Sequence, residues 1–182
     1  MLLTPNMLSI FRLCLVPLFV VVYLSGSPHA HLWGAGIYVV AALSDALDGW
    51  IARRFDLITN LGKVLDPLGD KMFTFSVLAC MAIEEVIPIW IVFVVVGKEL
   101  LMGLGGLLIH RKAKEEIPPS NVLGKAATAM FFVVCVLLML FEIPKPYSHI
   151  MILAALCVSL TAFVSYLLRF RRIMHRHRGN TN

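Results

Sequence analysis

The chain has 182 residues, 59% hydrophobic and 15% charged, and its mean hydropathy is +0.86. A soluble domain needs more polar surface than this because its outside faces water, so the composition excludes an ordinary soluble helical bundle and fits one domain, residues 1–182, embedded in a lipid bilayer. The net charge of +5 and the pI of about 9.2 come mostly from residues beside apolar runs, which points to anionic lipid headgroups and away from nucleic acid.

Apolar runs predict six transmembrane helices in one bundle, an all-α integral membrane protein, at about 7–25, 32–56, 61–84, 87–110, 121–141 and 148–170. The residues before Met7 form an interfacial lead-in with Pro5 near the helix start. A signal peptide carries base ahead of its apolar core. Here no Lys or Arg precedes Arg12, which falls inside the run, so the first helix is expected to be retained. The links hold turn residues: Ser25-Gly26-Ser27-Pro28, Glu85 to Pro88, Glu116 to Ser120, and Pro144-Lys145-Pro146. A basic tail, about 169–182, follows the sixth helix with Arg169, Arg171, Arg172, Arg176 and Arg178, and reads as a topology anchor. Cys14, Cys80, Cys135 and Cys157 lie within apolar runs without a CxxC pair and read as small core residues. The histidines form no metal-spaced cluster.

Lys and Arg give the direction. Six spans put both termini on one side, with Arg53, Arg54, Lys63, Arg111, Lys112, Lys114 and the basic tail; the opposite loops hold only Lys145. By the positive-inside rule both termini, and the loops after the second and fourth spans, are cytoplasmic.

The stretch from Ser44 to Lys71 carries four carboxylates, Asp45, Asp48, Asp66 and Asp70. Residues three or four apart share a helix face. Asp45 and Asp48 are therefore neighbours near the cytoplasmic end of the second helix, and Asp66 and Asp70 at the start of the third; a short link lets the pairs converge. A charged side chain at the bilayer centre costs about 2.5–3.5 kcal/mol on insertion scales, and four converging carboxylates repel one another. Solvated helix-end charges are the bland alternative. A cation site accounts better for the convergence: all-oxygen ligands suit Mg²⁺ or Mn²⁺, and four carboxylates suit two ions. Gly49, Ala52 and Gly62 remove side-chain bulk beside these residues, and Arg53 offers a planar fork of donors suited to phosphate. Arg54 reads as an anchor.

These residues fit Asp-x2-Asp-Gly-x2-Ala-Arg-x8-Gly-x3-Asp-x3-Asp with every spacing met. The pattern resembles the signature of the CDP-alcohol phosphotransferases, and Thr4-Pro5-Asn6, Ser9 and Arg12 resemble the amino-terminal stretch of bacterial phosphatidyltransferases in that family. The resemblance implies six transmembrane helices, a homodimer, and metal-dependent transfer of a phosphatidyl group from CDP-diacylglycerol to an alcohol with release of CMP. It implies that Asp45, Asp48, Asp66 and Asp70 bind two metal ions holding the pyrophosphate, that Asp70 is the general base, and that Asp48, Gly49, Ala52, Arg53 and Gly62 line the CDP site. It places the enzyme in a bacterial inner membrane with its site facing the cytoplasm.

The acceptor is read from the remaining cations. Lys98 and Glu99 fall midway along the fourth span, where an ionisable residue is functional by default; a structural Lys–Glu pair is the plainer alternative. Bacterial phosphatidylglycerophosphate synthases often carry Arg-Glu at a similar place. Ser120-Asn121-x2-Gly124-Lys125-x2-Thr128 resembles the Gly-Lys-x-Lys-Thr stretch of those enzymes, with Ala127 in place of the second Lys. Lys98, Arg111 and Lys125 are thus candidates for an anionic acceptor, glycerol 3-phosphate first. The alternatives are phosphatidylglycerol, as in a cardiolipin synthase, and, in another class, a divalent-cation transporter, which usually places its carboxylates near the midplane.

Overall fold

Long apolar stretches with few breakers satisfy their backbone groups internally only as helices. The computed structural model describes residues 5–55, 62–113 and 122–179, with side chains over 10–47, 69, 71–105, 123–168 and 171. The described residues form six helices: α1 (Pro5–Tyr23), α2 (Ala30–Phe55), α3 (Gly62–Ile83), α4 (Ile89–Ala113), α5 (Val122–Leu140) and α6 (Lys145–Gly179). No strand occurs among the described residues. Among the described residues, three segments are long and apolar enough to cross a bilayer, Ala30–Leu47, Leu123–Leu140 and Lys145–Leu168; Ile10–Tyr23 and Lys71–Ile83 are shorter apolar stretches. Large apolar side chains, among them Val21, Trp33, Phe93 and Ile150, are exposed on these helices. Helices of this length and composition mark a membrane protein.

Five of the helices begin and end close to their expected bounds. The sixth differs mainly at its C-terminal end. It starts at Lys145, inside the expected link, because Pro146 sits in the first turn, where a missing N–H is harmless. The Tyr147 and Ser148 N–H groups donate to the Pro144 carbonyl at 2.9 and 3.1 Å. At the other end the helix runs through the basic segment to Gly179. Arginine is a good helix former, and positive charge near a helix C-terminus is favoured by the helix dipole. The 35 residues extend roughly 50 Å, well beyond a hydrocarbon core of about 30 Å.

Two links show how the chain turns. After α1, Gly26 adopts φ +66°, a left-handed conformation natural to glycine. After α3, Glu85 takes φ +56°. Its N–H donates to the Ala82 carbonyl at 3.1 Å, and that of Val86 to Met81 at 2.9 Å, a Schellman stop that caps the last carbonyls.

The helices pack as two units, Met1–Ile87 with Cys135–Ile143, and Pro88–Val134 with Pro144–Asn182. In the first, α1 packs against α2 and α3. Phe19 meets Phe73 with ring centroids 5.5 Å apart, and Tyr38 stacks on Phe73 at 5.6 Å. This aromatic layer joins all three helices. Toward the α1 C-terminus, Tyr23 stacks on Phe19 at 5.3 Å and on His31 at 4.8 Å, and His31 pairs with Glu84. In the second unit α4 packs against α6.

Gly34 is what lets α1 and α2 approach. A Cβ there would lie 2.7 Å from the Tyr23 ring and 3.4 Å from that of Phe19, both fully buried. Tyr23 is held between Phe19 and His31 and has little room to yield. Gly34→Ala is therefore expected to destabilise the protein by about 1–3 kcal/mol through overpacking. Gly36→Ala, where a Cβ meets nothing within 4 Å, is expected to be neutral or slightly stabilising. Thermal unfolding of the two variants in detergent checks this; equal melting temperatures would refute the close approach.

Candidate active site

Asp45 stands on α2, and Asp48, Gly49, Ala52 and Arg53 follow on the same helix; Gly62 opens α3, and Asp66 and Asp70 lie on it. Arg111 lies near the end of α4 and Lys125 near the start of α5. Of the four Asp side chains, that of Asp45 is described; those of Asp48, Asp66 and Asp70, and those of Ala52, Arg53 and Arg111, lie outside the described set. The link at 56–61 and Ser120-Asn121 lie outside the described residues altogether.

The aromatic layer sets where the carboxylates fall along the helices. α1 and α2 run antiparallel, as Tyr23 against Gly34 and Arg12 against Asp45 show. α1 and α3 run in the same direction. Arg12, Asp45 and Asp66 each stand seven positions from Phe19, Tyr38 and Phe73 respectively, in the same direction along the bundle. Seven residues are close to two helical turns, about 10 Å, so these three backbone positions share one level and keep the helix face of the aromatic residue above them. Asp70 stands one turn nearer the aromatic layer and Asp48 nearly one turn farther.

At this level Arg12 is buried, 2% exposed, and its Nη2 lies 2.5 Å from Asp45 Oδ1, while the Asp45 side chain remains 50% exposed. The contact is one of charge, not an aligned hydrogen bond: Nε, Nη1 and Nη2 meet no hydrogen-bond partner among the described residues. The sequence pattern singled out Asp45 and left Arg12 as part of an amino-terminal resemblance. A lone Arg in an apolar run does signal a counter-charge, but nothing in the linear sequence says which acid supplies it.

The donor set suits a hard cation. Asp45 offers carboxylate oxygens, one of them in contact with Arg12 and the other available on a half-exposed side chain. The three further Asp residues of the pattern add oxygen donors only, which fits Mg²⁺ or Mn²⁺ better than a soft-ligand metal. Among the described residues no three His, Cys, Asp or Glu side chains gather to hold a metal.

The cations considered for the acceptor differ in their surroundings. Lys98 Nζ lies 2.7 Å from Glu99 Oε1 and donates to Ser159 Oγ at 2.7 Å, with Lys98 12% exposed and Ser159 buried. Two of its three donors are thus engaged inside the second unit, one of them across the α4–α6 contact. Nothing in the linear pattern marks Ser159, a small polar residue in an apolar helix. Lys125 is exposed beside Gly124, where a Cβ would meet nothing within 4 Å; Ala127, where the resembling stretch has its second Lys, is buried.

Comparison with known proteins identifies the family. The sequence profile described as CDP-alcohol phosphatidyltransferase matches residues 2–166. A CDP-diacylglycerol–glycerol-3-phosphate 3-phosphatidyltransferase of Bacillus subtilis is 31% identical over 152 residues, 77% of this chain and 78% of that one. One from Aquifex aeolicus is 37% identical over 128 residues, 68% of each chain. A cardiolipin synthase (CMP-forming) of Streptomyces coelicolor is 38% identical over 128 residues, 68% of this chain and 59% of that one. A profile match over nearly the whole chain, on a sequence that keeps all eight spaced positions, means that the chain belongs to the CDP-alcohol phosphatidyltransferase family.

Proposed function

We propose that this enzyme transfers the phosphatidyl group of CDP-diacylglycerol to glycerol 3-phosphate and releases CMP. The observation that carries the reading is the level that Asp45 and Asp66 share, with Asp48 and Asp70 within a turn of it, in a chain of this family. The proposed site holds two divalent ions, Mg²⁺ or Mn²⁺, on Asp45, Asp48, Asp66 and Asp70. When bound, such ions offset the charge of the pyrophosphate and stabilise CMP as it departs. Arg53 donates to the phosphate oxygens, and Gly49, Ala52 and Gly62 leave room for the nucleotide. Asp70 accepts the proton of the acceptor hydroxyl. The hydroxyl oxygen bonds to the phosphorus that carries diacylglycerol, and the bond from that phosphorus to the bridging oxygen breaks, so that CMP leaves with the oxygen. The proposed working form is a homodimer of six-span chains in a bacterial cell membrane.

Asp48→Asn, Asp66→Asn and Asp70→Asn are each expected to abolish CMP release from CDP-diacylglycerol while the protein still inserts and purifies. Chelation should do the same to the wild type, with recovery on adding Mg²⁺ or Mn²⁺. The assay is release of labelled CMP from purified protein, and normal turnover of Asp66→Asn would sink the site. An ion transporter would release no CMP at all.

The orientation proposed has both termini and the link after Arg53 in the cytoplasm, on the imbalance of Lys and Arg. In a cysteine-free background, an introduced Cys near position 146 is expected to label from outside and one near position 58 is not. The reverse pattern overturns the orientation.

The acceptor reading rests on Lys125, exposed beside an open glycine position. A second reading, phosphatidylglycerol as acceptor, is favoured by Ala127: this buried position carries no charge, and a phosphodiester needs less positive charge than a phosphomonoester. If Lys125 holds the acceptor phosphate, Lys125→Ala should raise the KM for glycerol 3-phosphate about tenfold or more and leave that for CDP-diacylglycerol nearly unchanged. Steady-state kinetics with each substrate varied checks this. Cardiolipin formed from phosphatidylglycerol, with no product from glycerol 3-phosphate, would establish the second reading.

A further inference from the structure

Arg12 is among the largest fully buried side chains, and among the described residues the charge it meets is Asp45, with Nη2 2.5 Å from Oδ1. A guanidinium withdrawn from water inside an apolar helix demands a counter-charge. The converse holds for Asp45, whose side chain is half exposed and needs no buried partner for its own solvation. An aspartate at such a place turns freely about its two side-chain torsions. The Arg12 charge at one oxygen restricts that freedom, and the second oxygen keeps its lone pairs for another cation. The helix carrying Arg12 is itself fixed at this level by Phe19 on Phe73 and by Tyr23 against Gly34. The guanidinium therefore stands on a packed element and not on a loop.

We infer that Arg12 is a positioning residue, holding the Asp45 carboxylate in the orientation in which its free oxygen takes a divalent cation. The inference rests on the reading of the four Asp residues as a metal site. It has a definite sign. A guanidinium that served only to balance charge during insertion would compete with a metal ion for Asp45, and removing it would strengthen metal binding. A guanidinium that positions the ligand weakens metal binding when removed, as losing the outer partner of a metal ligand typically does, by about 10–100-fold.

The experiment is direct Mn²⁺ titration of the full-length protein in detergent, followed by electron paramagnetic resonance, with thermal unfolding as a check on folding. Arg12→Gln is expected to raise the Mn²⁺ dissociation constant about 10–100-fold. Arg12→Lys, which keeps the charge but carries it on a shorter side chain with a differently shaped head group, is expected to fall between Gln and the wild type. In an Asp45→Asn background, Arg12→Gln is expected to produce little further change, because the two residues act through one contact. If Arg12→Gln does not fold, Arg12→Lys decides: an affinity equal to or tighter than wild type overturns the inference. So does Arg12→Gln binding Mn²⁺ as tightly as the wild type, or weakening it equally in the Asp45→Asn background, which would mark general scaffolding. A wild-type protein that binds no Mn²⁺ overturns the metal reading itself, a failure distinguishable because it is seen before any variant is made.

Discussion

A guanidinium buried in an apolar helix has few ways to be stable, and Arg12 uses the one that ties α1 to α2. Its charge meets Asp45 at 2.5 Å. Breaking such a pair by removing the acid leaves the cation buried and uncompensated, which typically costs about 3–5 kcal/mol. Asp45 thus carries a structural duty apart from any chemistry, and that duty engages one of its two carboxylate oxygens. The asymmetry in exposure, a buried Arg and a half-exposed Asp, describes a charge supported from behind and open in front.

The aromatic layer makes that pairing possible. Phe19, Tyr38 and Phe73 come from three helices and meet within 5.6 Å, and rings of this size pack well in few registers. Once they are seated, each helix is fixed along its axis, and positions two turns away are fixed with it. Without a strong hydrophobic drive between helices in lipid, close packing at small residues is a main source of association. Gly34 provides it at the far end of the same contact, where Tyr23 lies against the α2 backbone. The ion pair and the aromatic layer are therefore parts of one device for setting register.

Much of this was legible in the sequence, for definable reasons. Helix positions follow from the lengths of apolar runs, and the carboxylate pattern from spacings of three and four residues, both of which are local. α6 runs beyond its expected bounds because local rules compete there: Pro146 is a turn residue and also a good first-turn residue, and an arginine-rich segment is a polar tail and also a good helix. The partners Arg12–Asp45 and Lys98–Ser159 could not be read. Each joins residues on different helices, 33 and 61 positions apart, and apolar periodicity carries no information on which helix faces which.

Lys98 shows how the same physics limits a functional reading. An ammonium within an apolar helix must be compensated, and both an anionic ligand and an internal partner satisfy that requirement. Here Glu99 and Ser159 engage it at 2.7 Å each, so the charge is balanced before any substrate is considered. Lys125 differs: it is exposed, and the neighbouring Gly124 leaves open space. A cation already neutralised by a carboxylate loses that partner when it binds a phosphate, and the affinity gained is reduced accordingly. A solvated cation gives up only water. The contrast places Lys98 within the α4–α6 contact and Lys125 at an exposed position, a difference between two cations that the linear sequence does not show.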